Sequence, residues 1–211
     1  MSPARVTGVR RVRRACAYIA CLVVAAAGVA IAASPVSATP AKKAPDTLAA
    51  LWTKVLTTPS PDNPFGGGDP STACIHIDRI LSAFGPNGVA SCPAGTGTPI
   101  FIVGSSVECS TFEGNGTTEA ELRACARAQD QQTAPSITFD GRPLTVAEVE
   151  TSLMTMTLPA DNIFSLPGGT TGTSVGHGWV VQVNPPPPGT HTVVINASTF
   201  SVTTTFVISP G

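Results

Sequence analysis

The chain has 211 residues, of which 12% are charged, with twelve Lys/Arg against thirteen Asp/Glu. Removal of residues 1–38 would take away five basic residues and no acidic one, which leaves a net charge of −6. Because no basic patch would remain, this composition excludes nucleic acid and anionic membranes as good partner classes.

Residues 1–38 have the pattern of a secretory signal peptide. Five arginines, from Arg5 to Arg14, come before an uncharged apolar run at 15–33. Residues 36–38 then place small side chains at the positions that a signal peptidase recognises. We therefore predict a secreted, extracellular protein with no membrane attachment after cleavage. Because the run is long enough to span a bilayer, an uncleaved anchor is the alternative. The paired arginines also admit the twin-arginine route.

After the leader, residues 39–45 read as a disordered Pro/Ala/Lys linker, and 46–211 as a single β-rich domain. Asp46 is predicted to cap a helix over 47–56 with one apolar face. A Pro/Gly-rich loop follows at 57–71. The next predicted elements are a strand at 73–78, a Gly/Pro-rich stretch at 81–98 and a buried strand at 99–104.

In the middle of the chain, residues 105–116 read as a polar loop, and Thr118 and Glu121 form a capping box that opens a helix at 119–128. Phe139 is then followed by an Asp-Gly turn and a returning strand. A second capping box, Thr145 with Glu148, predicts a short helix to about residue 153. Short strands are predicted at 154–158 and 162–166.

The C-terminal end, 176–211, contains three β-branched-rich runs separated by Pro, Gly, Asn and Ser. This pattern predicts a meander of antiparallel strands. The fold class is therefore mainly β: a single antiparallel β-sandwich-like domain with two or three short helices.

Four cysteines remain after the leader, and an even number in an exported chain indicates two disulfides. Three connectivities are possible, and we favour the nearest-neighbour pairs, which each close a local loop. A zinc site is the alternative, but no Cys-x-x-Cys spacing is present and no cofactor is expected. The residues are Cys74, Cys92, Cys109 and Cys125.

Five motifs follow one another in a fixed order. They are Cys109, the Thr-x-x-Glu-Leu-Arg-Ala-Cys-Ala block at 118–126, Phe-Asp-Gly at 139–141, Gly-Trp at 178–179 and Pro-Gly-Thr-His-Thr-Val at 188–193. In this order they resemble a family of secreted bacterial proteins, common in actinobacteria, with no assigned activity. The resemblance covers roughly 52–209. It implies a β-rich single domain and no catalytic residue.

Two groups of polar residues could carry chemistry. His76 and Asp78 would share one face of a strand, where such a pair can bind metal or act as base and orienter. A hydrogen-bonded structural pair is the alternative that we favour. Glu108 and Glu113 flank a cysteine, and paired carboxylates serve glycoside hydrolysis or calcium binding. A solvated acidic loop is the simpler interpretation.

His177 and Trp179 are the best candidates for a recognition edge. Glycines beside His177 allow close approach, and an exposed tryptophan ring can stack on a sugar. Burial of Trp179 in the core is the competing interpretation. His191 has apolar neighbours and is expected to be structural.

Together these patterns favour a secreted or cell-envelope-associated, non-enzymatic binding or structural module. The predicted partners are a cell-wall glycan or another secreted protein. The alternative is a secreted, glycan-directed hydrolase that uses the acidic residues, so the patterns leave open whether the protein is an enzyme.

Overall fold

Two β-sheets packed face to face, with two α-helices against the first sheet, form the part of the chain that this computed structural model describes: residues 38–39, 43–66, 69–86, 91–130 and 133–211. These residues belong to one compact unit, 35–211. The predicted signal peptide, 1–38, lies almost wholly outside the described residues. No described helix is long and apolar enough to cross a membrane.

The helices are α1 (Ala44–Leu56) and α2 (Glu119–Gln129). Short 3-10 turns lie at Ser60–Asp62 and Pro70–Ala73. In chain order, the strands are β1 (Ala38–Thr39), β2 (Cys74–Ile77), β3 (Ile80–Ala83), β4 (Ser91–Gly95), β5 (Ile100–Ser110), β6 (Ser136–Phe139), β7 (Arg142–Leu144), β8 (Ala147–Glu150), β9 (Met154–Thr157), β10 (Thr171–Val183), β11 (Gly189–Asn196) and β12 (Ser201–Ser209). The prediction of a mainly β, sandwich-like fold with short helices is confirmed.

The first sheet is organised around β10. Its antiparallel partner on one side is β5, from Ser174 opposite Ser110 to Val183 opposite Ile100. Three short strands, β9, β8 and β1, share the other side of β10 in turn. β3 lies parallel to β5 with one register pair, Leu81 opposite Ile100, and β2 completes the sheet beside β3.

The second sheet has the order β4-β12-β11-β6-β7. β11 and β12 form a hairpin, and β4 lies parallel to β12 along 205–209. The predicted turn at Asp140 and Gly141 joins β6 to β7. The predicted C-terminal strands are therefore present, but the single meander is wrong, because β10 belongs to the first sheet and β11 and β12 to the second.

Apolar packing forms two main layers. The layer between the sheets includes Leu81, Ile100, Ile102, Ile137, Phe139, Val181, Val193 and Phe206. The other layer lies between α1 and the opposite face of the first sheet, and includes Leu48, Leu51, Trp52, Val55, Phe101, Val103, Met154 and Val180. Burial of this apolar surface is the main favourable term for the fold.

Helix α1 has the predicted apolar face but begins earlier than predicted. It starts at Ala44, inside the segment predicted as a linker at 39–45, of which 40–42 lie outside the described residues. Asp46 does not cap the helix; it lies in the first turn, where a negative charge interacts favourably with the helix dipole.

Helix α2 begins with the predicted capping box. Thr118 accepts a hydrogen bond from the Glu121 N–H, and the Glu121 carboxylate accepts from the Thr118 N–H at 2.9 Å. The N–H groups of Thr117 and Thr118 lower the pKa of Glu121 to about 2, because they favour the ionised form. Leu122 and Ala126 then pack against Cys109 and Val175.

The second predicted capping box is wrong. Thr145 opens no helix, and Ala147–Glu150 forms β8, which pairs with β10 between His177 and Val180. A short segment with a local helix signal therefore becomes a strand because β10 offers it a ladder of backbone hydrogen bonds, and tertiary pairing overrides weak local propensity.

Two other predictions are wrong, and one stretch contains strands that were not predicted. The polar loop at 105–116 is strand as far as Ser110. The predicted strand at 162–166 is a turn, in which the Asn162 side chain accepts hydrogen bonds from the N–H groups of Phe164 and Leu166. The Gly/Pro-rich stretch at 81–98 contains most of β3 and all of β4.

Both favoured disulfides are present. Cys74 bonds to Cys92 and ties β2 to β4, while Cys109 bonds to Cys125 and ties β5 to α2. Closed loops of this size stabilise a small domain by about 3 kcal/mol each in the chain-entropy account. The pairs therefore join the two sheets to each other and fix α2 to the first sheet.

The contact between β10 and β5 at Gly178 has no room for a side chain. A Cβ atom there would lie 2.6 Å from the Ser105 carbonyl oxygen, which belongs to the backbone and cannot rotate away. We predict that Gly178→Ala lowers the free energy of unfolding by about 1–3 kcal/mol through overpacking. Urea denaturation of the oxidised protein measures this change.

Gly95→Ala is the matched control for this prediction, because Gly95 also lies in a strand and a Cβ atom there would have no neighbour within 4 Å. We expect it to change stability by less than about 0.5 kcal/mol. Equal stabilities of the two variants would show that β10 and β5 are not as close as described.

Candidate functional site

A cleft of about 280 Å³ opens between the two sheets near the C-terminal end of α2. Most of the side chains that line it are apolar, and polar groups come from β5, β12 and the end of α2. The apolar lining includes Phe65, Phe84, Val103, Val107, Ile195, Phe200 and Val202; the polar lining includes Ser105, Ser106, Gln129, Asp130 and Thr204.

The cleft exists because β3 and β4 are short. In the described part of the chain, β3 has a register pair with β5 only at Ile100, and β4 pairs with β12 only from Thr205 onward. Residues 104–110 of β5 and 201–204 of β12 therefore have no described strand on their outer sides. The sandwich stays open where these two strand segments approach each other.

An aromatic cluster forms one wall of the cleft. The ring of Phe84 lies 5.0 Å from the ring of Trp52 and 5.6 Å from that of Phe65. The Trp52 indole N–H donates to the Ser106 hydroxyl at 2.9 Å, which in turn donates to the His177 carbonyl oxygen at 2.7 Å. This wall is thus fixed to both central strands of the first sheet.

Two phenylalanines of the cleft are exposed. Phe65 is 37% exposed and Phe200 is 39% exposed, and they line the cleft on opposite sides, one in the 57–71 loop and the other just before β12. Exposed aromatic side chains at a concave site are typical of a surface that binds a partner.

His177 is not part of an exposed recognition edge. Its ring is buried, with Nδ1 2.9 Å from an Asp130 carboxylate oxygen and Nε2 3.2 Å from a Glu148 oxygen. Ser105 donates to Asp130 at 3.2 Å rather than to the histidine. Because both ring nitrogens are engaged by carboxylates, His177 has no nitrogen positioned to activate a serine.

Trp179 is half-buried in β10, between β5 and β8. Its indole nitrogen is buried and has no hydrogen-bond partner among the described residues. The ring is therefore neither fully buried in the core nor exposed, and sugar stacking at Trp179 stays a prediction.

Glu108 and Glu113 are close together and are not among the residues that line the cleft. Glu108 lies on β5, accepts a hydrogen bond from the Ser174 hydroxyl, and interacts with the Glu113 carboxylate. Burial raises the pKa of Glu108 to about 7, and the neighbouring charge of Glu113 adds to this effect. Neither glutamate lines the cleft, so the structure does not place this pair across an open groove as glycoside hydrolysis requires.

His76 and Asp78 do not share a strand face. His76 is exposed on β2 and borders a second cleft, of about 470 Å³, with Lys54 and Asp62. Asp78 lies in the turn after β2 with a φ of 51°. In the described residues, no group of three or more His, Cys, Asp or Glu side chains could hold a metal ion.

None of the residues that line the cleft was predicted from the sequence as a site residue. Phe65 stands alone in a Pro/Gly-rich loop and Phe200 in a Ser/Thr-rich turn, and an isolated large aromatic in a loop is the signal that could have identified them. The four other cleft residues of interest, Phe84, Val107, Asp130 and Val202, carry no local signal, because they meet only through the pairing of distant strands.

No protein-family model matches the chain, and no curated protein matches it. Among solved structures, the chain is similar to the cysteine protease inhibitor EhICP2 from Entamoeba histolytica, at 12% identity and a TM-score of 0.24. That match covers 62% of this chain and 94% of the other. Amebosin gives 12% identity and a TM-score of 0.22, over 63% and 96% of the two chains. Scores this low carry no argument about fold or function.

Burial of Glu108 makes stability depend on pH. In the unfolded protein the Glu108 carboxyl has its ordinary pKa of 4.5. In the folded protein its pKa is about 7, so it keeps its proton up to about that pH. Between these values the folded state binds more protons, so stability falls as the pH rises. We predict that the free energy of unfolding of the wild type falls by up to about 3 kcal/mol between pH 5 and pH 8 because of Glu108, and that Glu108→Gln abolishes this fall.

Denaturant unfolding of both proteins at a series of pH values measures this difference, and subtraction of the two curves cancels the other titrating groups. Glu113→Gln is the control. It should reduce the fall without abolishing it, because burial is the larger cause. Parallel curves for the wild type and Glu108→Gln would contradict the buried position of Glu108.

Proposed function

We propose that the protein is an exported, non-enzymatic binding module and that the cleft between the two sheets is its ligand site. The observation that carries this proposal is the cleft itself, with Phe65 and Phe200 exposed on its two sides. A concave, mostly apolar site with a few polar groups is the form that binding sites usually take.

The distribution of reactive side chains supports binding rather than catalysis. His177 is held between two carboxylates, and His76 lies on a different surface beside the second cleft. Among the described residues that line the cleft, no nucleophile is hydrogen-bonded to a base that a third group orients, which is the arrangement that acyl transfer needs.

A glycan-directed hydrolase is the second candidate function. It is favoured by Glu108, whose pKa of about 7 suits a general acid at neutral pH. The position of Glu108 outside the cleft counts against it. Incubation of the oxidised protein with cell-wall and plant oligosaccharides tests this candidate, since product that forms in the wild type but not in Glu108→Gln would favour the hydrolase.

The proposed location is extracellular. Two disulfides fit an oxidising compartment, where such bonds form and persist. This agrees with the leader predicted at 1–38 and with the resemblance to secreted actinobacterial proteins, both of which remain proposals. The partner classes are a cell-wall glycan and another secreted protein.

The test is a parallel screen of the oxidised protein against displayed random linear peptides and arrayed oligosaccharides. We predict that one class yields binders, and that Phe200→Ser weakens them by at least about tenfold, since burial of a phenylalanine side chain contributes about 1.5–3 kcal/mol. Titration calorimetry with the selected binder measures the loss.

Val207→Ser is the matched control, because Val207 is also 39% exposed and belongs to β12, but does not line the cleft. Its affinity should stay within about twofold of the wild type. Equal losses in the two variants, or no binder from either library, would contradict the assignment of the cleft as the ligand site.

A further inference from the structure

The outer edge of β5 carries backbone groups that have no partner among the described residues, and Ser106 brings this edge to the cleft. At the end of this strand, the Ser110 N–H donates to the Asn115 side-chain oxygen at 3.0 Å, and the Ser110 carbonyl accepts from the Asn115 N–H at 3.1 Å. The next residue, Thr111, donates its N–H to the Thr173 carbonyl, on the side of β10. The backbone groups of Ser110 therefore point away from β10, and Asn115 closes the edge at this end.

Backbone direction alternates along a strand, so the N–H and C=O groups of Glu108 and Ser106 point to the same outer edge as those of Ser110. Among the described residues, no strand lies beside β5 at these two positions. Two donors and two acceptors are thus presented in a row. The two residues are about 7 Å apart, the two-residue repeat of an extended chain.

The walls of the cleft suit the side chains of an added strand. Successive side chains of a strand point to opposite faces of its sheet. A strand beside β5 would therefore direct alternate side chains toward Phe65 and Phe84 on one face, and toward Phe200 and Val202 of the second sheet on the other. Both walls are apolar.

The charges around the cleft favour an uncharged or basic occupant. Asp130 is the one charged residue that lines it, and no described lining residue is cationic. The chain without its predicted leader has a net charge of −6, which disfavours a second copy of the same chain in this place. An acidic partner is disfavoured for the same reason.

We infer that the open edge of β5 binds an extended peptide segment by strand addition, with apolar side chains in the cleft and no acidic residue among them. This inference rests on the proposed function and specifies its ligand as polypeptide. In strand addition, backbone hydrogen bonds supply affinity, and pockets for alternate side chains supply specificity.

The first test uses linear peptides of about six residues, the usual length of a strand, selected from a displayed library on the oxidised protein. Each backbone nitrogen of the best peptide is then methylated in turn. We expect affinity to fall by about tenfold or more at every second position and to change little between them, because an edge strand bonds to one side of its neighbour.

The second test changes the protein at the same edge. Glu108→Pro removes an outward N–H, whereas Glu108→Ala removes the same side chain and keeps the N–H. Proline is tolerated where a strand N–H faces outward, and unfolding measurements confirm that both variants are folded. We expect the proline variant to bind roughly three- to tenfold more weakly than the alanine variant.

The outcomes separate the inference from the proposed function. Peptides whose affinity depends on Phe200 but does not alternate with the position of the methylated nitrogen would overturn strand addition. They would still support the cleft as the ligand site. Oligosaccharide binders without peptide binders would do the same. Dimerisation of the free protein through β5 would assign the edge to a second copy, while binders insensitive to Phe200 would overturn both proposals.

Discussion

The close pairing of β10 with β5 is the constraint on which the rest of the structure depends. Glycine at 176 and 178 lets neighbouring groups approach β10 closely: a Cβ atom at 176 would lie 2.7 Å from the Trp52 ring, and one at 178 would lie 2.6 Å from the Ser105 carbonyl oxygen. Helix α1 can therefore rest on one face of the first sheet while the second sheet covers the other.

The same pairing explains why a cleft remains. β5 pairs with β10 on its inner side from Ile100 to Ser110, apart from a register shift at Gly104, so the fold does not require a partner on its outer side beyond Ile100. Edge strands of this kind promote unwanted association, and proteins usually protect them. Here the described edge borders the cleft at Ser106, where Phe65 and Phe200 belong to the cleft lining, and Asn115 closes the edge at one end. A strand edge that is protected in this way is suited to pair with a single peptide strand and poorly suited to pair with the edge of a large sheet.

Sequence patterns predicted the features that depend on local chemistry. The capping box at Thr118, both disulfides and the β-branched C-terminal strands follow from neighbouring residues. The second half of β5 was missed because most of its residues, among them Glu108, are polar and resemble a loop. β8 was missed because pairing with β10 overrides its capping box. The cleft was missed for a deeper reason: Phe65, Val107 and Phe200 are far apart in sequence, and only the non-local strand pairing brings them together.

Amide hydrogen exchange along β5 in the free, oxidised protein is the most direct test of the central claim, that β5 is paired on one side and open on the other. We expect slow exchange at Val107 and Cys109, whose N–H groups face β10, and exchange faster by about a hundredfold or more at Ser106 and Glu108. Equal protection at all four amides would show that the outer edge is already occupied, and would contradict the account.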